Sequence, residues 1–322
     1  MEKLENLPSL PQENLILIDW LTFTVKTDDP AAVKEMIGLK SVSWEKCDKG
    51  LNGYPEREFF GNISIMYGAS PEMGVCCNMS GQGCRTFESY SKITWGFLIH
   101  TITHSDDIKV TRIDAAFDDH TGILDINRVR LDVEDRLYLS RSRISRITVS
   151  DNQNTDIRGI SIEIGARSSN MLIRIYDKAA ERGYNDGTHW IRIEMQMRDE
   201  IATGFVTGMT DKRMEFGSYF RGVLHNYLRF VTALEDTNKS RWPTADYWEK
   251  LLEGIEKIRC WHAPGIDYNM TRLENFVLRQ AGNAIETYVK VFGWTRLNVL
   301  LKERDKELPL KYKKLLQEYG LG

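Results

Sequence analysis

Apolar and polar positions alternate with a period of two over several stretches of this chain, which is the pattern of half-buried strands. Residues 15–26 (LILIDWLTFTVK) are rich in β-branched and aromatic side chains and read as a first strand. In residues 108–120, Val110, Ile113, Ala115 and Phe117 interleave with Arg112, Asp114, Ala116 and Asp118. Residues 188–198 alternate strictly. Trp190, Arg192, Glu194, Gln196 and Arg198 take one face, and Ile191, Ile193, Met195 and Met197 take the other. Ser161–Ile164 and Met171–Tyr176 are two further strands joined by the turn GARSSN, and 144–150 is another. Residues 44–88 are strand-like, with a hairpin around Ala69-Ser70-Pro71.

Helical periodicity separates these strands. Asp29 as cap and Pro30 in the first turn precede an apolar stripe at Val33, Met36 and Ile37. Residues 89–104 carry Ile93, Trp95, Phe97, Leu98 and Ile102 and are expected to form one helix. A helix follows Asp125, and a short one after Tyr176 ends at Gly183. Residues 200–234 read as helix through Phe205, Phe216, Phe220, Leu224, Tyr227, Leu228 and Val231. The remainder is helical, with caps expected at Thr244 and Thr271. The fold class is therefore α+β: an antiparallel-rich central sheet with flanking helices, followed by a helical C-terminal region. The expected division is an arm over 1–14, a sheet domain over 15–205 and the helical region over 206–322.

Composition narrows the setting. A chain of 322 residues, 42% hydrophobic and 28% charged, can bury a core without staples. No apolar run is long enough to span a bilayer and no signal-peptide core opens the chain, so no membrane role is expected and the cytoplasm is the default. Cys47, Cys76, Cys77, Cys84 and Cys260 fit neither a disulfide framework nor a zinc site and are expected as reduced thiols. The net charge of −3 argues mildly against nucleic acid. Locally, Arg128, Arg130, Arg136, Arg141, Arg143 and Arg146 form a basic strip, and no acid falls between 141 and 150. Such a strip suits DNA but is more commonly a solvated face.

Asp114 and Asp118 are four apart on one strand, so both project from the face of Arg112. Two such acids can hold Mg²⁺ or Mn²⁺, which prefer oxygen ligands, and Glu194 joins them if its strand is adjacent. The competing reading is three surface acids paired with Arg112, Arg192 and Arg198. Tyr176 ends an amphipathic strand, where most tyrosines merely pack. A phenol becomes a competent nucleophile only when cations or a metal stabilise its phenolate. Arg174, Lys178 and Arg167 are the nearby cations in sequence.

Three blocks then carry a resemblance: VTRIDAAFDD at 110–119, IGARSSNMLIRIYDKAAER at 164–182, and WIRIEMQMRDE at 190–200. In this order they resemble rolling-circle replication initiators of plasmids and phages and the related relaxases of conjugative elements. GYPEREFFGNISIMYG and MSGQGCRTFE upstream look like the conjugative-element and phage branch. The resemblance implies Tyr176 as nucleophile, with Arg174 and Lys178 beside it. It implies Asp114, Asp118 and Glu194 as the Mg²⁺ or Mn²⁺ site, because the histidine triplet of better-known relaxases is absent; His120 and His189 are secondary candidates. It implies a 5′-phosphotyrosine on a nicked origin, and a superfamily 1 helicase as partner. A second copy of the chain is a candidate partner too. Arg112, Arg141, Arg143, Arg146, Arg167 and Arg192 become candidate DNA contacts, and Trp190, Tyr90 and Phe87 candidate base-stacking groups. Only about 14 residues precede the first strand, so origin specificity is expected from the body or the C-terminal region. The alternatives are a non-catalytic sequence-specific DNA-binding protein on the same scaffold, acting as repressor or helicase loader, and a metal nuclease that uses water.

Overall fold

The computed structural model describes residues 13–152, 157–184, 186–211, 215–254 and 281–303, with a few positions beyond. Residues 1–12 of the expected arm and the cap at Thr271 lie outside the described residues, as does Cys260; Asn14, at the end of that arm, is buried and donates to Thr121. The four described cysteines are free thiols.

Ten of the twelve strands among the described residues assemble into one sheet. In chain order they are β1 (Leu15–Val25), β2 (Glu45–Cys47), β3 (Glu56–Phe60), β4 (Ile63–Tyr67), β5 (Val75–Met79) and β6 (Ile108–Asp119), then β7 (Tyr138–Ser140), β8 (Ser145–Asn152), β9 (Ile157–Ile164), β10 (Met171–Asp177), β11 (Ile191–Arg198) and β12 (Leu228–Phe230). The order across the sheet is β2-β3-β4-β5-β1-β6-β11-β10-β9-β8, and the pairings that join these strands are antiparallel. β7 and β12 make a separate two-stranded ladder. The antiparallel-rich sheet with flanking helices is the architecture the alternation predicts.

The alternation decides what each face does. Leu21, Phe23, Ile113, Ala115, Phe117, Ile193 and Met195 point to one side and join a single core. Helix α3 (Trp95–Thr103) and helix α6 (Asp199–Asp211) pack there on β6, and α4 (Ile126–Glu134) packs on β9 and β10. Burying that surface at roughly 25 cal/mol per Å² is the main drive to this layer. The opposite face carries the polar set.

The helix starts follow their caps. Asp29 accepts from Ala31 N at the head of α1 (Pro30–Met36), Asp125 accepts from Asn127 N, and Asp177 accepts from Ala180 N at the head of α5 (Lys178–Arg182). Gly183 closes α5 at φ 80°, the left-handed position that glycine takes without a Cβ penalty.

Three expectations about elements differ from the structure. The helix expected over 89–104 is two helices, α2 (Gly81–Tyr90) and α3, because Ser91 is extended and Thr94 starts a new cap. Gly83 lets α2 lie on the β3–β4 turn: a Cβ there would stand 2.4 Å from the Asn62 carbonyl oxygen. The helix expected over 200–234 is α6, then α7 (Phe216–Tyr227), then β12. Helix α8 (Asp246–Gly254) starts one residue after Ala245, while Thr244 bridges to Val231.

The chain forms two compact units. One spans Leu10–Ala263; the other comprises Met1–Ser9 and Pro264–Gly322. The division expected at 205–206 falls inside α6, which packs on the sheet. In the second unit, α9 (Gly282–Lys302) is bent at Gly293, whose φ is 77°. No helix among the described residues is long and apolar enough to cross a membrane.

Candidate active site

The register of the central strands sets Tyr176, Arg192 and Asp118 in one row across β10, β11 and β6. The next row reads Arg146, Glu163, Arg174, Glu194 and Ala116 across β8, β9, β10, β11 and β6. A third holds Gln196, Asp114 and Trp20. Side chains opposite each other in such rows stand about 5 Å apart, so the three blocks meet on one face. Cations and anions alternate along the second row.

Tyr176 is 4% exposed. Its phenol donates to Glu194 Oε2 at 3.1 Å, and Lys178 Nζ donates to it at 3.4 Å. The Arg174 guanidinium lies 4.7 Å from the ring centre, and its Nη1 donates to Glu194 Oε1 at 3.3 Å. Burial pushes the phenol up, the Arg192 charge works against that, and Glu194 adds to it. Burial and the Arg192 charge hold Lys178 below its ordinary value, against its bond to Glu181.

Arg192 is buried, 4% exposed. Its Nε and Nη2 donate to the two oxygens of Asp118 at 2.6 and 2.7 Å, and Nη1 donates to Asp19 Oδ2 at 2.7 Å. Burial alone would raise the Asp118 carboxyl, but Arg192 overrides it and the group sits below the usual range. Asp19 is available because the β1–β6 register skips a residue between Ile18 and Trp20, a bulge that turns this acid toward Arg192.

Asp114 is held bidentate by Arg112, at 2.9 and 2.6 Å, and Arg112 stacks 4.0 Å from the Trp20 ring centre. Burial raises the Asp114 carboxyl to about 6; Arg112 limits the rise, while Glu194 and Asp19 increase it. Asp114 and Asp118 flank Ala116, and Glu194 stands opposite it, so three carboxylates ring one methyl group. Among the described residues, no three His, Cys, Asp or Glu side chains converge closely enough to hold a metal as they stand. Arg112 and Arg192 each take up one of the acids.

The basic candidates separate. Arg192 lies inside the site and does not reach the surface, because two carboxylates neutralise it there. Arg146 and Arg167, with side chains 52% and 70% exposed, both close on Glu163 at 2.8 and 2.9 Å. Arg141 is exposed and donates to Asn226; Arg143 is exposed. His189 Nε2 is 3.2 Å from Asp119 Oδ2, and His120 lies against the Trp190 ring. Phe87 is core and Trp190 is buried at 9%, which removes both from surface stacking in this conformation. Sequence reasoning passed over Asp19, Glu163 and Trp20. A lone acid within the apolar run of β1 is the signal that points to Asp19.

Comparison with known proteins bears on the family and the fold. A family model described as "Replication initiation factor" matches residues 108–304, and one described as "Rolling Circle replication initiation protein N-terminal domain" matches residues 15–100. The chain is 25% identical over 318 residues to NicK of Bacillus subtilis (strain 168), named as a DNA relaxase, covering 94% of this chain and 89% of that one. The solved structure of a rolling circle replication initiator protein from Geobacillus stearothermophilus superposes with a TM-score of 0.72 and 28% identity. It covers 77% of this chain and 99% of its own.

Proposed function

This chain belongs to the replication initiation factor family, and from that premise we propose that it nicks one DNA strand and rejoins it, with Tyr176 as nucleophile, to start rolling-circle replication or transfer of a mobile element. The observation that carries the reading is the phenol of Tyr176, hydrogen-bonded to Glu194 on the polar face where the three acidic and basic blocks meet.

The chemistry runs as a balanced exchange. Glu194 accepts the phenol proton as Oη bonds to phosphorus, and the bond from phosphorus to the 3′-oxygen breaks. The leaving oxygen takes a proton from the Lys178 ammonium, which burial and Arg192 make more acidic. The product is a 5′-phosphotyrosine and a free 3′-hydroxyl, and the reverse sequence reseals the strand. Arg192 lowers the cost of the phenolate across the row, and Asp118 and Asp19 keep the guanidinium in place. Arg174 bonds Glu194 and covers the ring.

An all-oxygen donor set suits Mg²⁺ or Mn²⁺. Asp114 and Glu194, whose repulsion contributes to the raised Asp114 carboxyl, are the groups that would hold it. Both aspartates are held by an arginine, but Arg112 is 24% exposed and can turn to solvent to release Asp114, whereas the buried Arg192 cannot leave Asp118, which would not join them. Such an ion would supply positive charge beside the scissile phosphate. Arg112, Arg141, Arg143, Arg146 and Arg167 are the proposed phosphate contacts, and the helicase and a second copy of the chain remain proposed partners.

Supercoiled origin DNA, incubated with Mn²⁺ and denatured in detergent, tests the reading. Wild type is expected to give a protein–DNA adduct blocked at the 5′ end, and Tyr176→Phe none. An adduct that survives in Tyr176→Phe removes the tyrosine from its role. A free 5′-phosphate from wild type would assign the attack to water instead.

A further inference from the structure

Outside the active face, the strongest unassigned feature is a groove of about 860 Å³ beside β8. Its walls include Arg136, Arg143, Lys239, Glu134, Tyr138 and Ile144. Arg136 and Arg143 are both exposed, and neither forms an ion pair among the described residues. Among the described residues, the one acid on the wall, Glu134, is engaged by Arg130 at 2.9 Å. Lys239 Nζ spends one donor on the Arg136 carbonyl, at 2.8 Å, and keeps two. Three cations therefore face the groove without an acid to neutralise them, on a chain whose net charge is −3. Tyr138 and the 53% exposed Ile144 add apolar surface between them.

Position gives this groove its meaning. Among the described residues β8 is the last strand of the sheet, and no further strand borders its free edge. Ile147, which also lines the groove, packs on the core side of β8, whereas its neighbour Arg146 is on the face of Tyr176. β10 and β8 are two strand spacings apart, roughly 10 Å. The exposed Arg146 and Arg167 stand on the active face at this same edge. A nucleic acid strand can leave Tyr176 past these two arginines, turn over the β8 edge at Arg143 and enter the groove. A duplex has a width of about two nanometres and cannot make that turn at this scale, given its persistence length of about 50 nm.

We propose that this groove binds single-stranded DNA, the unpaired strand on one side of the nick, through its phosphates on Arg136, Arg143 and Lys239 and through its bases on Tyr138 and Ile144. The inference rests on the nicking function, but it is tested without chemistry. In a Tyr176→Phe background, a fluorescent single-stranded oligonucleotide and a duplex of the same sequence are titrated over a range of salt concentrations. Arg143→Ala and Arg136→Asn are the variants, asparagine because Arg136 has φ 57° and asparagine tolerates that region. Each is expected to reduce the salt slope for the single strand by about 0.7, and the pair by about 1.4, with a smaller change for the duplex. Arg143→Lys, which keeps the charge, is expected to retain the slope. Unchanged slopes in the alanine and asparagine variants overturn the groove, and so does an equal loss for strand and duplex. Failure of the wild-type adduct assay would remove the nicking function while leaving these slopes as an independent result.

Discussion

Replacing Arg192 by methionine isolates the charge that holds the site together. The side chain stays long and apolar, but Asp118, whose side chain is 3% exposed, loses both of its donors. Asp19, 20% exposed, can turn to water and loses less. Breaking a buried pair by removing one partner costs about 3–5 kcal/mol, because a charge is left uncompensated. For a unit of this size, each kcal/mol lowers Tm by about 2–4 °C, so Arg192→Met is expected to melt roughly 6–20 °C below wild type. The pH dependence supplies the sign. In wild type the Asp118 carboxyl is depressed, so its contribution is present above the unfolded value near 4 and is lost as pH falls through the lower folded value. In the variant burial, the largest influence on that carboxyl, is opposed only by the weaker effects of Trp190 and His120 and raises it, so the variant regains stability as pH falls and the group protonates. Urea denaturation at pH 7.5 and pH 4.5 should therefore show a wide gap closing by about 1.4 kcal/mol per pH unit once the variant's carboxyl begins to protonate. A second change, Asp118→Leu, should return much of the loss, as a double-mutant cycle would report. A gap under about 1 kcal/mol at pH 7.5, or one that does not narrow, would refute the account of Arg192 as a buried structural cation.

Further outcomes follow from other parts of the site. Calorimetric titration with Mn²⁺ at pH 5, 6 and 7 should show affinity falling as pH drops through about 6, approaching tenfold per unit below it, since Asp114 must lose its proton to bind. Asp114→Asn should abolish that dependence; the same slope in the variant would place the ion elsewhere. By linkage, the raised Asp114 carboxyl favours the fold below about 4, and that contribution is lost as pH rises through about 6. Gly83→Ala should destabilise the protein by about 1–3 kcal/mol in urea, because its Cβ meets backbone rather than a movable side chain.

The long strands were legible because their alternation is nearly complete. β1, β6, β10 and β11 each set apolar side chains on one face and mostly polar ones on the other, so the period of two survives in the sequence even though the polar face of β6, β10 and β11 is itself largely buried. The row that unites Tyr176, Arg192 and Asp118 was legible only as three polar faces. Register between strands distant in sequence leaves no local trace. α2 was hidden by Gly81 and Gly83, which read as loop residues until the close approach to Asn62 is seen. β7 and β12 are three residues each, too short for periodicity to speak. Arg192 was misplaced among surface contacts because a cation beside acids has the same sequence signature whether it meets a phosphate or an internal carboxylate. The bulge at Asp19 settles which, and a bulge depends on the partner strand.

Tyr176 sits within a regular strand, bonded along both edges to β9 and β11, rather than at the tip of a loop. A side chain anchored that way has almost no travel. Under the proposed mechanism, any exchange of ends would then be accomplished by ferrying polynucleotide to a stationary oxygen. The captured 5′ terminus would stay moored at one point of the sheet while its counterpart could wander and return.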